Sequence, residues 1–210
     1  MTEVKKIYLY PLWIRIWHII NAIMFLCLIL TGISLQYSGE TSFLIDFETS
    51  ISVHNVCGIT LTLNYIFYFI VNFASGNYKY YIPTFNGSIK RLVKQFKYYA
   101  WGSFNGEENP FHASAESKFN PLQKITYVKI MYVAMPLIII TGLGLLFPEI
   151  LIDEFLGESG LLYTAFLHTI VGFLLSLFMV GHIYLGTTGK TMSEHFRAII
   201  TGWHETKDDK

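Results

Sequence analysis

The stretch from Phe166 to Gly189, FLHTIVGFLLSLFMVGHIYLGTTG, decides the fold. It carries no Asp, Glu, Lys or Arg, and it is long enough to cross a hydrocarbon core, which takes about 20 mostly apolar residues in a helix. Two histidines interrupt it, His168 and His182, 14 residues apart. On an α-helix that separation is about four turns and roughly 21 Å of rise, so both rings face nearly the same way at two depths. An ionisable residue inside a membrane segment is costly and marks a site by default.

Working outward, three more segments have the same apolar character. The spans lie at roughly 12–35, 51–73, 125–147 and 161–186. No acidic residue falls in any of them, and Arg15 and Lys129 sit within a turn or so of a span end, where long side chains snorkel to the interface. With 52% hydrophobic and 14% charged residues, the 210-residue chain lies in the membrane class rather than the soluble one. The expected fold is an all-α membrane protein, one domain over 1–210, built as a bundle of four transmembrane helices. The first apolar segment is followed by Gln36-Tyr37-Ser38-Gly39-Glu40 with no small-residue cleavage pattern, so it reads as a retained helix.

Formal net charge is zero, which gives no field for nucleic acid, so no nucleic-acid partner is expected. The distribution of charge says more. Lysine and arginine collect before the first span, in the loop 76–124 and in the tail 187–210, whereas the two short connections contain no Lys or Arg and carry acids, among them Glu40, Asp46, Glu149 and Glu158. The positive-inside rule then places both termini and the long loop in the cytoplasm. Within that loop Ile89, Leu92, Val93 and Phe96 recur at helical spacing beside Lys90, Arg91, Lys94 and Lys97, the pattern of an amphipathic helix on the membrane lipid. A second short helix is expected from Ser193, acting as its cap, to about Gly202. Cys27 and Cys57 lie in apolar runs and read as buried thiols. Neither belongs to a Cys-x-x-Cys-His sequence, which rules out covalently attached haem.

Depth sorts the four intramembrane histidines into pairs. His18, near the start of the first span, lies at the level of His182; His54, near the start of the second, lies at the level of His168. Imidazole is a good iron ligand, and facing helices of a bundle build cofactor sites, so each pair can hold one haem iron from both faces. Bis-histidine ligation leaves no open iron position and suits electron transfer. Gly32, Gly58 and Gly172 lie on or near the same faces; they give either room for a porphyrin or the close approach of neighbouring helices.

The segments WIRIWHIINAIMFLCLILTG (13–32), VHNVCG (53–58) and FLHTIVGFLLSLFMVGHIYLGTTG (166–189) resemble the di-haem cytochrome b subunits of membrane-bound nickel–iron hydrogenases, formate dehydrogenases and thiosulfate reductases. FNPLQK (119–124) and HFRAIITGWHE (195–205) are most similar to the thiosulfate reductase branch. The resemblance implies two haem b groups, one on His18 and His182 and the other on His54 and His168. It also implies a quinone, menaquinone or ubiquinone, near the inner haem, with Asn120, Gln123 and Lys190 in its neighbourhood. Asn120 and Gln123 have amides able to meet a quinone carbonyl, and they are equally placed to cap the third helix ahead of Pro121. Arg15 suits either a haem propionate or the plain positive-inside role. On this resemblance the chain is the electron-transfer subunit of a respiratory oxidoreductase in the bacterial inner membrane, not an enzyme by itself. Its partner is a periplasmic iron–sulfur or multihaem cytochrome c subunit. Two other readings remain: a free-standing di-haem oxidoreductase acting on a small molecule such as superoxide, and a haem-free helical transporter with a histidine proton relay.

Overall fold

The computed structural model describes residues 4–38, 44–83, 88–107, 109–111, 118–189 and 191–207. Lys190, one of the expected quinone contacts, and His112 fall outside them. Among the described residues, four helices are long and apolar enough to cross a membrane: α1 (Leu12–Gln36), α2 (Phe47–Ala74), α4 (Pro121–Leu146) and α5 (Gly160–Gly186). Shorter helices are α3 (Ser88–Ala100) and α6 (Glu194–Thr201). Strand β1 (Val4–Tyr8) pairs antiparallel with β4 (Trp203–Lys207), and a small hairpin joins β2 (Glu154–Phe155) to β3 (Glu158–Ser159). The chain is thus a predominantly helical membrane protein.

Helix ends follow capping chemistry rather than hydropathy. α2 begins ahead of the expected Ile51 because Asp46 accepts the Thr49 backbone N–H at 2.9 Å, and the polar turn Glu48-Thr49-Ser50 becomes helical. α4 likewise begins at Pro121, held by a capping box in which Asn120 and Gln123 satisfy each other's backbone N–H, both at 2.9 Å. Midway along α4 the helix widens to a π-turn over Ile130–Ala134. Pro136 lies just beyond it; lacking an N–H and crowding the carbonyl four residues back, proline disfavours a regular α-turn there. The helix expected from Ser193 forms, yet Ser193 makes no side-chain cap. Its backbone is in the right-handed helical region (φ −98°, ψ −4°), not the extended region that aims a cap hydroxyl at the first turn.

The residues gather into two compact units. The first comprises Ile16–Ile70 and Val133–Val180, stretches of all four long helices. Its apolar side chains largely face outward, with Leu63, Ile70, Ile140, Phe166 and Val180 all exposed, while Thr31, Ser34, Asn64 and Thr141 are buried. Lipid-facing apolar residues and hydrogen-bonded polar residues inside are what a bilayer solvent selects. Asn64 Nδ2, for instance, donates to the Trp17 carbonyl at 3.2 Å.

The second unit comprises Met1–Arg15, Val71–Tyr132 and Gly181–Lys210. The β1–β4 ribbon enters it through Gly202, which ends α6 at φ +87° and receives the Leu9 and Tyr10 N–H groups on its carbonyl. A Cβ on Gly202 would lie 2.7 Å from the Tyr10 carbonyl oxygen, so glycine is needed there for both φ and space. Tyr81, in the 3-10 turn Asn77–Tyr81, stacks on Tyr127 at 3.5 Å and on Phe119 at 4.8 Å. Below it Asn77 donates to Asn72 at 2.9 Å, and Asn72 donates to the Tyr132 hydroxyl at 3.3 Å.

Candidate metal centre

His54, in the second turn of α2, and His168, in the third turn of α5, come together in the first unit with ring centroids 6.3 Å apart and planes at 69°. Both are half-buried. Each ring is held by a threonine of another long helix: His54 Nδ1 lies 2.8 Å from Thr31 Oγ1 of α1, and His168 Nδ1 lies 2.9 Å from Thr141 Oγ1 of α4.

The tautomer follows from where the threonine protons go. Thr31 donates its hydroxyl to the Cys27 carbonyl at 2.8 Å, and Thr141 donates to the Leu137 carbonyl at 2.7 Å. Such back-bonding to the preceding turn is ordinary for threonine in a helix, and it consumes the only hydroxyl proton. Each oxygen therefore accepts from the imidazole, Nδ1 carries the proton, and Nε2 keeps its lone pair for a metal.

The spacing fits an iron between the rings. Two imidazoles sharing one metal through Nε2, with about 2 Å per metal–nitrogen bond, place their centroids roughly 6 Å apart, and the observed 6.3 Å agrees. Among the described residues no third His, Cys, Asp or Glu joins the pair. Two axial nitrogens are the protein's share when a porphyrin fills the other four positions.

Glycines border both rings. A Cβ on Gly32 would sit 3.6 Å from His54 Cε1, and one on Gly142 would sit 3.1 Å from His168 Cε1. Gly32 was expected; Gly142 was not. Beside Gly58 nothing among the described residues lies within 4 Å of the Cβ position, so it borders open space, whereas a Cβ on Gly172 would make ordinary contact with Ile138 Cδ1 at 3.8 Å.

His18 belongs to the first unit, with the Trp17 ring 6.4 Å away, while His182 belongs to the second unit and is exposed. Next to His18 along α1 and one turn on, Trp17 Nε1 and Asn21 Oδ1 are buried without hydrogen-bond partners among the described residues. An orphaned donor and acceptor of this kind fit the polar edge of a bound group or an ordered water. Arg15 spends one guanidinium nitrogen on the Ile200 carbonyl at the end of α6. Asn120 commits its oxygen to the capping box and its Nδ2 to the Tyr99 hydroxyl at 3.0 Å. Of the two amides proposed for a quinone, that leaves Gln123 Nε2 outside these bonds.

Sequence reasoning missed Thr31, Thr141 and Gly142. The signal was present: Leu30-Thr31-Gly32 and Ile140-Thr141-Gly142 put the same dipeptide near one end of α1 and of α4.

Residues 9–202, a range that contains all four intramembrane histidines, match the family described as prokaryotic cytochrome b561. A protein of Escherichia coli (strain K12) named "Putative cytochrome YdhU" is 37% identical over 203 residues, an alignment covering 95% of this chain and 75% of that protein. Haem b is the cofactor this family implies, and the paired imidazoles with open Nε2 positions are suited to hold it. The chain belongs to the prokaryotic cytochrome b561 family of membrane electron-transfer proteins.

Proposed function

We propose that the chain is a di-haem electron conduit of the bacterial inner membrane, exchanging electrons between the quinone pool and a periplasmic iron–sulfur or multihaem cytochrome c subunit. His54 and His168 hold the outer haem; His18 and His182 hold the inner one. The reading rests above all on the 6.3 Å His54–His168 pair, whose Nδ1 atoms are both tied to threonine. A bis-histidine haem supplies reversible one-electron transfer without binding substrate at the metal.

What the protein does around such a group follows from its residues. Thr31 and Thr141 hold the protons on Nδ1, so the imidazoles stay neutral ligands. Outward apolar faces keep water from the span interior. Lysines and arginines gathered in 76–124 and 187–210, against acidic short connections, orient both termini to the cytoplasm. Two short acidic connections offer no domain for further redox centres, which supports a docked partner at that face. The resemblance of FNPLQK and HFRAIITGWHE to thiosulfate reductase subunits supports a quinone on the cytoplasmic side, with Gln123 and Lys190 as its candidate contacts.

The test is quinol-driven haem reduction in purified, lipid-reconstituted protein. Adding a menaquinol or ubiquinol analogue should reduce the haem absorbing in the α-band region, and the double variant Gln123→Ala, Lys190→Ala should slow that reduction at least several-fold. Haem that dithionite reduces but no quinol does would remove the quinone from the account.

A further inference from the structure

We propose that Thr31 and Thr141 are a duplicated pair of positioning residues that set the redox potential of the outer haem from both axial sides. The inference rests on the di-haem reading and adds to it a control that ligand identity does not supply.

Three observations converge on it. First, the two contacts are alike in chemistry and length: threonine Oγ1 to histidine Nδ1 at 2.8 Å on one side and 2.9 Å on the other. Second, both hydroxyls are turned by the same device, a bond to the carbonyl four residues back, leaving oxygen lone pairs for the imidazole. Third, each threonine precedes a glycine whose Cβ would contact the Cε1 of that same ring, Gly32 at His54 and Gly142 at His168. Both threonines are buried, at 1% and 6% exposure, so water cannot substitute as the acceptor. The unit Thr-Gly on one helix against His on the next thus occurs twice, α1 on α2 and α4 on α5.

Accepting a hydrogen bond from Nδ1–H makes an axial imidazole more electron-rich, and an electron-rich ligand favours ferric over ferrous iron. The couple is one-electron: the donor loses one electron, the iron gains it, and the proton stays on Nδ1 throughout. Removing an acceptor therefore raises the midpoint potential. Loss of either threonine should shift it in the same direction.

The experiment compares Thr31→Val, Thr141→Val, Thr31→Ser and Thr141→Ser in the full-length protein, using spectroelectrochemical titration and low-temperature EPR. Valine keeps the shape and removes the acceptor; serine keeps the acceptor. The outer haem of Thr31→Val should be roughly tenfold easier to reduce at a fixed potential, about 59 mV for a one-electron couple. Thr141→Val should shift in the same direction, both serine variants should match the parent, and the inner haem should not move. Valine variants with parental potentials, or serine variants shifted as far as valine, overturn the proposal. If the valine variants do not accumulate, pulsed EPR of the ferric parent decides: the remote-nitrogen coupling of both outer ligands should show a hydrogen-bonded Nδ1–H, and the coupling of a free N–H would refute it. A parent protein purified without haem would instead defeat the di-haem reading beneath it.

Discussion

Gly142 lies where a methyl group would press on His168, a proposed haem ligand. Its Cβ would stand 3.1 Å from His168 Cε1, tighter than side chains normally pack, whereas a Cβ on Gly32 would reach His54 Cε1 at an ordinary 3.6 Å. Gly142→Ala should therefore tilt His168 off its Thr141 bond and lower outer-haem retention by up to about tenfold, the size of effect that supporting residues have on metal sites. Gly32→Ala should do less, and haem-to-protein ratios of the purified variants measure both. The sequence exposes the four histidines plainly, because an ionisable group in an apolar span has few structural excuses. It hides Thr31 and Thr141, since a threonine in a membrane helix satisfies its own hydroxyl on the preceding turn. Only the meeting of two helices shows that the remaining lone pairs are used.

At the level of elements, amphipathic pattern located the helices and local hydrogen bonding placed their ends. α3, Ser88–Ala100, appears where the spacing of Ile89, Leu92, Val93 and Phe96 predicts one apolar face; Ile89, Val93 and Phe96 are exposed, while Leu92 is partly buried. Asn120 shows why the quinone site was less legible: one amide suits a ligand and a cap alike, and the cap is what forms. Asn120→Ala should cost about 1 kcal/mol of stability through the lost cap, read as faster amide exchange at Gln123 and Lys124, while haem spectra stay unchanged. The Tyr81 stack makes a different prediction. Burial pushes the Tyr81 hydroxyl from 10.0 up to about 12, with the nearby Tyr132 adding to the rise and a hydrogen bond to Asn77 opposing it. The folded state thus keeps its proton longer than the unfolded chain does, so the stabilisation is complete below pH 10 and drains away as pH rises to about 12. Alkaline unfolding followed by circular dichroism should show this dependence, and Tyr81→Phe should flatten it over that window.

For the molecule as a whole, composition and span length point to a four-helix membrane protein, and the described residues contain four such helices. The β1–β4 ribbon escaped, because Val4–Tyr8 and Trp203–Lys207 are short, partly charged segments at opposite ends of the chain whose pairing leaves no local periodicity to read. Gly202 was legible as a helix end, yet its carbonyl also anchors Leu9 and Tyr10, a role that depends on distant sequence. In the proposed function, electron transfer depends on paired imidazoles holding b-type haem, and haem stoichiometry tests that most directly. Pyridine-haemochrome assay against protein mass should give two haem b per parent chain, and His54→Ala and His168→Ala should each retain one. A parent chain without haem, or variants that keep the parental stoichiometry and low-spin spectrum, would contradict the account.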